Sequence, residues 1–271
     1  LTTQTTGDML SALAGVSANV IIPEGNPYLV RDSYGIIYDP GYQIIYFAGG
    51  KCSDLRGYKI PETVMTISEH AFAYANGDVL VIPEGVTMIA PYAFQYSQIP
   101  HISIPSTVTK IGKYAFAYSG LTTLDFANEH NSKLELIEQF AFRQCNVEKV
   151  VLPDSVKFTA SEYSHFFECY NLKSFTFGAS VTVIPRNIFG DCFALEEVIF
   201  QEGLEHIQYM FATSSLATRG EMTQVKSLHI PASVKLIDEY AAQSFSMMET
   251  LSFAPNSMLE TIGKGAFKYC F

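Results

Sequence analysis

Between Ile60 and Ser119 the apolar and polar positions repeat with a period of 22 residues: IPETVMTISEHAFAYA, IPEGVTMIAPYAFQYS and IPSTVTKIGKYAFAYS. Phe72, Phe94 and Phe116 mark the same point of each copy. The position recurs at Phe142, Phe166, Phe189 and Phe211, then at a substituted Ala242, then at Phe267. A fixed period of a few tens of residues is the mark of stacked repeats, each packing on its neighbours. Upstream of each beat lies a short alternating segment, for example Ile102-Ser103-Ile104, Leu124-Asp125-Phe126 and Leu228-His229-Ile230. Alternation at period two predicts a strand with one buried face. Segments this short are stable only when paired with their copies, and since every turn runs the same way, the pairing must be parallel. A second run (Val64–Ile67, Val86–Ile89, Val108–Ile111, Val181–Ile184, Val234–Ile237) predicts a second extended face. The Ile-Pro between the two faces ends the first ladder, because Pro has no N–H to donate. The Ala-Phe pair closes each turn, its ring filling the space between coils in offset or edge contacts. Three residues after the Phe the side chain is small: Ala75, Ser97, Ser119, Cys145, Cys169, Cys192, Ser214 and Cys270.

The architecture expected is mainly β: a right-handed solenoid of short parallel strands and Ala-Phe turns, with an N-terminal β-hairpin cassette. Residues 60–271 form nine repeats, and 21–271 a single solenoid domain. Residues 21–59 carry the apolar runs Ile36–Tyr38 and Ile44–Phe47 around Asp39-Pro40-Gly41-Tyr42. Pro fixes φ and Gly permits a positive φ, so this is a hairpin that caps or enters the first repeat. Residues 1–20 are a Thr-rich tail whose Met9, Leu10, Leu13 and Val16 fit a terminal cap or the remnant of an earlier repeat. The long step before Ala242 places a polar loop at residues 213–224. A smaller loop is expected at 128–133. The departures at Phe158, where Ile is expected, and at Ala242 are expected to distort their repeats.

The pattern of apolar strand, Ile-Pro, Val-x-x-Ile-Gly and Ala-Phe-x-x-Cys/Ser resembles the BspA-type (treponemal) class of leucine-rich repeat over residues 60–271. Asn26-Pro27-Tyr28 with Tyr34–Tyr38 and Ile44–Phe47 resembles the hairpin cassette that often accompanies such repeats. The resemblance implies a secreted or surface-exposed bacterial or protist protein that binds other molecules, often in adhesion. It implies no catalytic residues and no cofactor.

Charge narrows the choice of partner. The net charge is -10, and no cluster of Lys and Arg exists to track a nucleic-acid backbone or an anionic membrane. No apolar run approaches the length of a membrane span. The chain begins at Leu1 without an apolar leader and stops just after a repeat motif, so both ends read as edges of a processed or truncated piece. An extracellular or cell-surface location is the expectation, any signal peptide having been removed.

Chemistry-bearing residues are scattered. Cys145, Cys169 and Cys192 occupy one column in successive turns, close enough for disulfides, yet Ala and Ser fill the same column elsewhere and free buried thiols are expected. No C-x-x-C pair supports zinc, and no metal site is expected. The six histidines fall at different repeat positions, without a H-E-x-x-H, G-x-S-x-G or phosphate-loop pattern. The outward strand column reads Val81, Ser103, Asp125, Val151, Thr176, Ile199, His229 and Ser252. A parallel column two residues upstream runs from Val79 and His101 to Thr250. On a solenoid these line one continuous face, the surface that repeat proteins use for binding. The candidate ligand-binding residues are Ser103, Asp125, Val151, Thr176, Ile199, His229 and Ser252 on this face, with Arg219 on the rival loop at 213–224. The ligand class is a host or bacterial surface protein, or a glycan. The alternatives are a structural spacer within a longer surface protein and a glycan-acting β-helix enzyme. The enzyme needs convergent carboxylates, whereas Asp125 and Glu197 stand three turns apart, about 15 Å.

Overall fold

The computed structural model describes residues 21–47, 54–159, 164–211, 223–243 and 245–270. The expected N-terminal cap, Ser214, Arg219 and nearly all of the loop at 213–224 lie outside these residues. The strands begin with β1 (Val30–Arg31), β2 (Ile37–Tyr38), β3 (Ile44–Phe47), β4 (Thr66–Ile67), β5 (Val79–Val81) and β6 (Met88–Ile89). They continue with β7 (His101–Ile104), β8 (Lys110–Ile111), β9 (Thr123–Phe126), β10 (Leu136–Ile137), β11 (Lys149–Val151), β12 (Ser174–Thr176) and β13 (Val183–Ile184). The last are β14 (Glu197–Ile199), β15 (His206–Ile207), β16 (Ser227–Ile230), β17 (Leu236–Ile237), β18 (Thr250–Phe253) and β19 (Thr261–Ile262). No helix occurs among the described residues, and every pairing between successive coils is parallel.

The hairpin joins the array directly. β2 and β3 pair antiparallel, and β3 then pairs parallel with β4, setting Ile44 beside Thr66 and Ile45 beside Ile67. The Asp39 carboxylate accepts from the amides of Gly41, Gln43 and Ile44, which fixes the turn. The second face is narrower than its sequence pattern suggested. Each strand is only the last two residues of the run, while the leading Val is buried at a turn. This ladder runs β3-β4-β6-β8-β10 and resumes as β13-β15-β17-β19. It is interrupted at Phe158, where the repeat sets a buried aromatic ring in place of the expected Ile.

The Ala-Phe turns form a ladder of their own. Phe72, Phe94, Phe116, Phe142 and Phe166 stack nearly parallel, with centroids 4.9–5.1 Å apart. The residues two before and two after the Phe have positive φ, as at Tyr92 and Tyr96 or Tyr114 and Tyr118. A left-handed Tyr costs about 1–2 kcal/mol. It turns the amide along the solenoid axis, where Tyr92, Phe94 and Tyr96 donate to Lys113, Ala115 and Ala117 of the next coil. The rings at these positions stack too, Tyr74 on Tyr96 on Tyr118 and His70 on Tyr92 on Tyr114 on Phe140.

Beyond Phe166 the ring stack changes character. Phe175 of β12 sits edge-on to both Phe166 and Phe189, at 4.9 Å from each. At the Ala242 repeat the missing ring is supplied three residues later. Phe245 is fully buried and packs edge-on against Phe211 at 4.9 Å. The Phe and small-residue columns have exchanged occupants there. The small column itself has a second requirement besides size. Cys145, Cys169 and Cys192 are free thiols, and their Sγ atoms and that of Cys270 each donate to the backbone carbonyl of the preceding copy's Phe-column residue, at 2.8–3.1 Å.

Candidate binding surface

The outward columns lie side by side in the strand ladder. Val79, His101 and Thr123 are lateral neighbours, as are Val81, Ser103 and Asp125. Lys149, Ser174 and Glu197 pair in the same way, as do Val151, Thr176 and Ile199, then His229 and Ser252. Among the candidates, Asp125, Ile199 and His229 are exposed, whereas Ser103, Val151, Thr176 and Ser252 are half-buried between neighbours. His229 Nδ1 lies 2.9 Å from Ser252 Oγ, and Ser174 Oγ donates to Glu197 at 2.8 Å. Exposed apolar residues gather at one end of the face, where Val79 and Val81 are 55% and 62% exposed.

The face is not continuous, as its regular columns had suggested. It is built of three blocks, β5-β7-β9, β11-β12-β14 and β16-β18. The gaps fall at the two longest strand-to-strand steps, from Thr123 to Lys149 and from Glu197 to Ser227. The same coils still pair on the other face, β8 with β10 and β15 with β17, so their extra residues interrupt the ladder on this face alone. The registers show which groups are left over. Thr250 donates to Lys226 and Ser174 to Glu148, so Ser227 and His229, like Lys149 and Val151, direct their backbone groups toward the gap. The same holds for Val79 and Val81, since residues 57–60 form no strand against β5.

A cleft opens at each of these three junctions. The first, about 460 Å³, is lined by Tyr58, Lys59, Asp78, Val79 and Val81. The second, about 540 Å³, lies between β9 and β11 and is lined by Thr123, Asp125, Glu129, Glu148, Lys149 and Val151. The third, about 530 Å³, is lined by Ser174, Glu196, Glu197, Gln224 and Lys226. Asp125 and Glu197 fall in different clefts, in keeping with their separation by three turns. Glu129 and Glu148, neither of them a candidate in the sequence, join Asp125 in the middle cleft. Their positions belong to no common column, so no periodic signal marks them. Glu148 is held by Lys173 at 2.9 Å, and Glu129 stands 3.9 Å from His130, which binds Asp154 at 2.7 Å. Among the described residues, no group of three or more His, Cys, Asp or Glu is placed to hold a metal ion. Nor is any helix there long and apolar enough to cross a membrane.

The model of the BspA type leucine rich repeat region matches in six copies over residues 41–132, 128–219 and 220–271. Among solved structures, a leucine-rich repeat protein from Eubacterium ventriosum is 19% identical, with 92% of this chain and 51% of that chain covered and a TM-score of 0.48. The chain thus spans about half the length of that protein. A leucine-rich repeat protein from T. pallidum is 18% identical, with coverages of 93% and 89% and a TM-score of 0.38. A leucine rich cell surface protein from Faecalibacterium prausnitzii is 16% identical, with coverages of 92% and 100% and a TM-score of 0.28. A search of curated protein sequences found no match.

Proposed function

The chain belongs to the BspA-type leucine-rich-repeat family, and on that premise we propose that it is a non-catalytic binding module that engages protein or glycan through its strand face. Its place is outside the cell or on the cell surface, in an adhesion-type role. The observation that carries this reading is the division of the face into blocks with a cleft at each junction. The clefts present fixed side chains and unpaired backbone groups on a scaffold that has little left to order on binding. A rigid platform spends little of its contact energy on conformational entropy. Loops held by such a scaffold also serve recognition, so the loop at 213–224, with Arg219, remains part of the proposal.

The test is a binding screen of the chain against glycans and surface proteins, repeated with Asp125→Ala and His229→Ala. Both side chains are exposed, so neither substitution threatens the fold. Loss of binding in either variant is expected. Unchanged binding in both would sink the strand face as the binding surface. The absence of any ligand would leave the spacer role as the better account.

A further inference from the structure

The junctions are evenly spaced. They fall before β5, between β9 and β11, and between β14 and β16, so three strands separate each from the next. Three inter-strand steps amount to about 14–15 Å. Evenly spaced clefts of similar volume on one face suit a ligand that repeats along its own length. We propose that the three clefts together hold one linear, uncharged or amino-bearing glycan chain, gripped at every third turn of the solenoid. This rests on the reading of the strand face as the binding surface and names the ligand for it.

Three observations select a glycan. One is cleft width: Cα atoms of β9 and β11, and of β14 and β16, still come within 8 Å of each other. An inserted peptide strand needs two steps of about 4.8 Å, so β-augmentation does not fit. Another is the mixture of groups on offer. The first and middle clefts present the gap-facing backbone of Val79, Val81, Lys149 and Val151, all three clefts carry carboxylates and an amine, and a sugar hydroxyl both donates and accepts, satisfying either kind. The last is charge. The middle cleft sets Asp125, Glu129 and Glu148 against Lys149, and the third sets Glu196 and Glu197 against Lys226 and Lys173. The middle lining, with three carboxylates to one amine, repels a polyanion, whether nucleic acid or an acidic polysaccharide, while the third is balanced. One β-linked pyranose spans roughly one inter-strand step of about 5 Å, so clefts three turns apart receive every third sugar.

The experiment is a calorimetric titration with chito-oligosaccharides and cello-oligosaccharides from disaccharide to octasaccharide, with oligogalacturonates as the anionic control. Affinity is expected to climb in steps. Each step comes when the chain becomes long enough to reach another cleft, and gains at least about tenfold through effective concentration. Asp125→Ala in the middle cleft is expected to remove a step for long chains and to change disaccharide binding much less. Glu197→Ala should act in the same way at the third cleft. An affinity indifferent to length, or tighter binding of the galacturonates, would overturn the proposal. If no glycan binds but a protein ligand is lost on Asp125→Ala or His229→Ala, the glycan inference fails and the strand-face reading stands. If neither variant alters any binding, the reading itself falls.

Discussion

Acidification should open this array chiefly at the repeat centred on His165. His165 stands where most other copies have the Ala of Ala-Phe. It is fully buried, its ring lies 4.6 Å from that of Phe158, and neither ring nitrogen has a partner at hydrogen-bonding geometry. Burial drives its pKa from 6.5 down to about 3, and the Ile137 backbone nearby offsets little of this. The unfolded imidazole therefore binds a proton throughout a range in which the folded one does not. Stability is complete above the unfolded pKa and drains away as pH falls below it. With these two pKa values the loss is about 2 kcal/mol at pH 5 and about 3 kcal/mol at pH 4. His70 titrates in the same direction, its pKa lowered by burial, but lies four repeats away. His130, whose pKa the Asp154 carboxylate raises, works in the opposite sense. Asp154, held low by His130, loses its share only below the usual carboxylate range. The assay is hydrogen exchange read peptide by peptide at pH 7.5 and pH 5, corrected for intrinsic rates. Amides of Phe140, Phe142 and Ser164, which bridge this coil to its neighbours, should exchange about 30-fold faster at the lower pH, the equivalent of 2 kcal/mol. His165→Ala, which restores the residue of most other copies, should abolish the difference. An equal acid response in that variant, or none in the native chain, would refute the reasoning.

Two further outcomes follow from the packing. Phe245→Ala should cost about 3–5 kcal/mol, because it removes the ring that replaces the missing one at Ala242. Ala242→Phe combined with Phe245→Ser should recover most of that loss in urea unfolding followed by tyrosine emission, the chain having no Trp; no recovery would show that the two columns cannot be exchanged. Burial pushes the Cys145 and Cys169 thiols well above their ordinary range, so iodoacetamide at pH 8 should label neither until urea unfolds the chain, as mass spectrometry would show; ready labelling of the folded chain would contradict the S–H···O=C ladder.

What the amino-acid sequence determined by itself was the local unit. The 22-residue beat, the period-two strands, the Asp39-Pro40 turn and the Ala-Phe column are legible because each copy repeats the same short-range pattern and packs on its nearest neighbour. The outward columns were legible for the same reason, since a parallel ladder carries equal positions into register. Three features were not. Tyr at a left-handed turn position carries no Gly signal, because the next coil stabilises the conformation. Phe245 replaces the ring absent at Ala242 only because two columns converge on one interior space. The middle and third clefts, with Glu129 and Glu148 brought beside Asp125 in the middle one, arise where coils of unequal length still close on a common turn. Only the stacked chain decides that, for a bond between neighbouring strands depends on the lengths of both coils and is a property of neither alone.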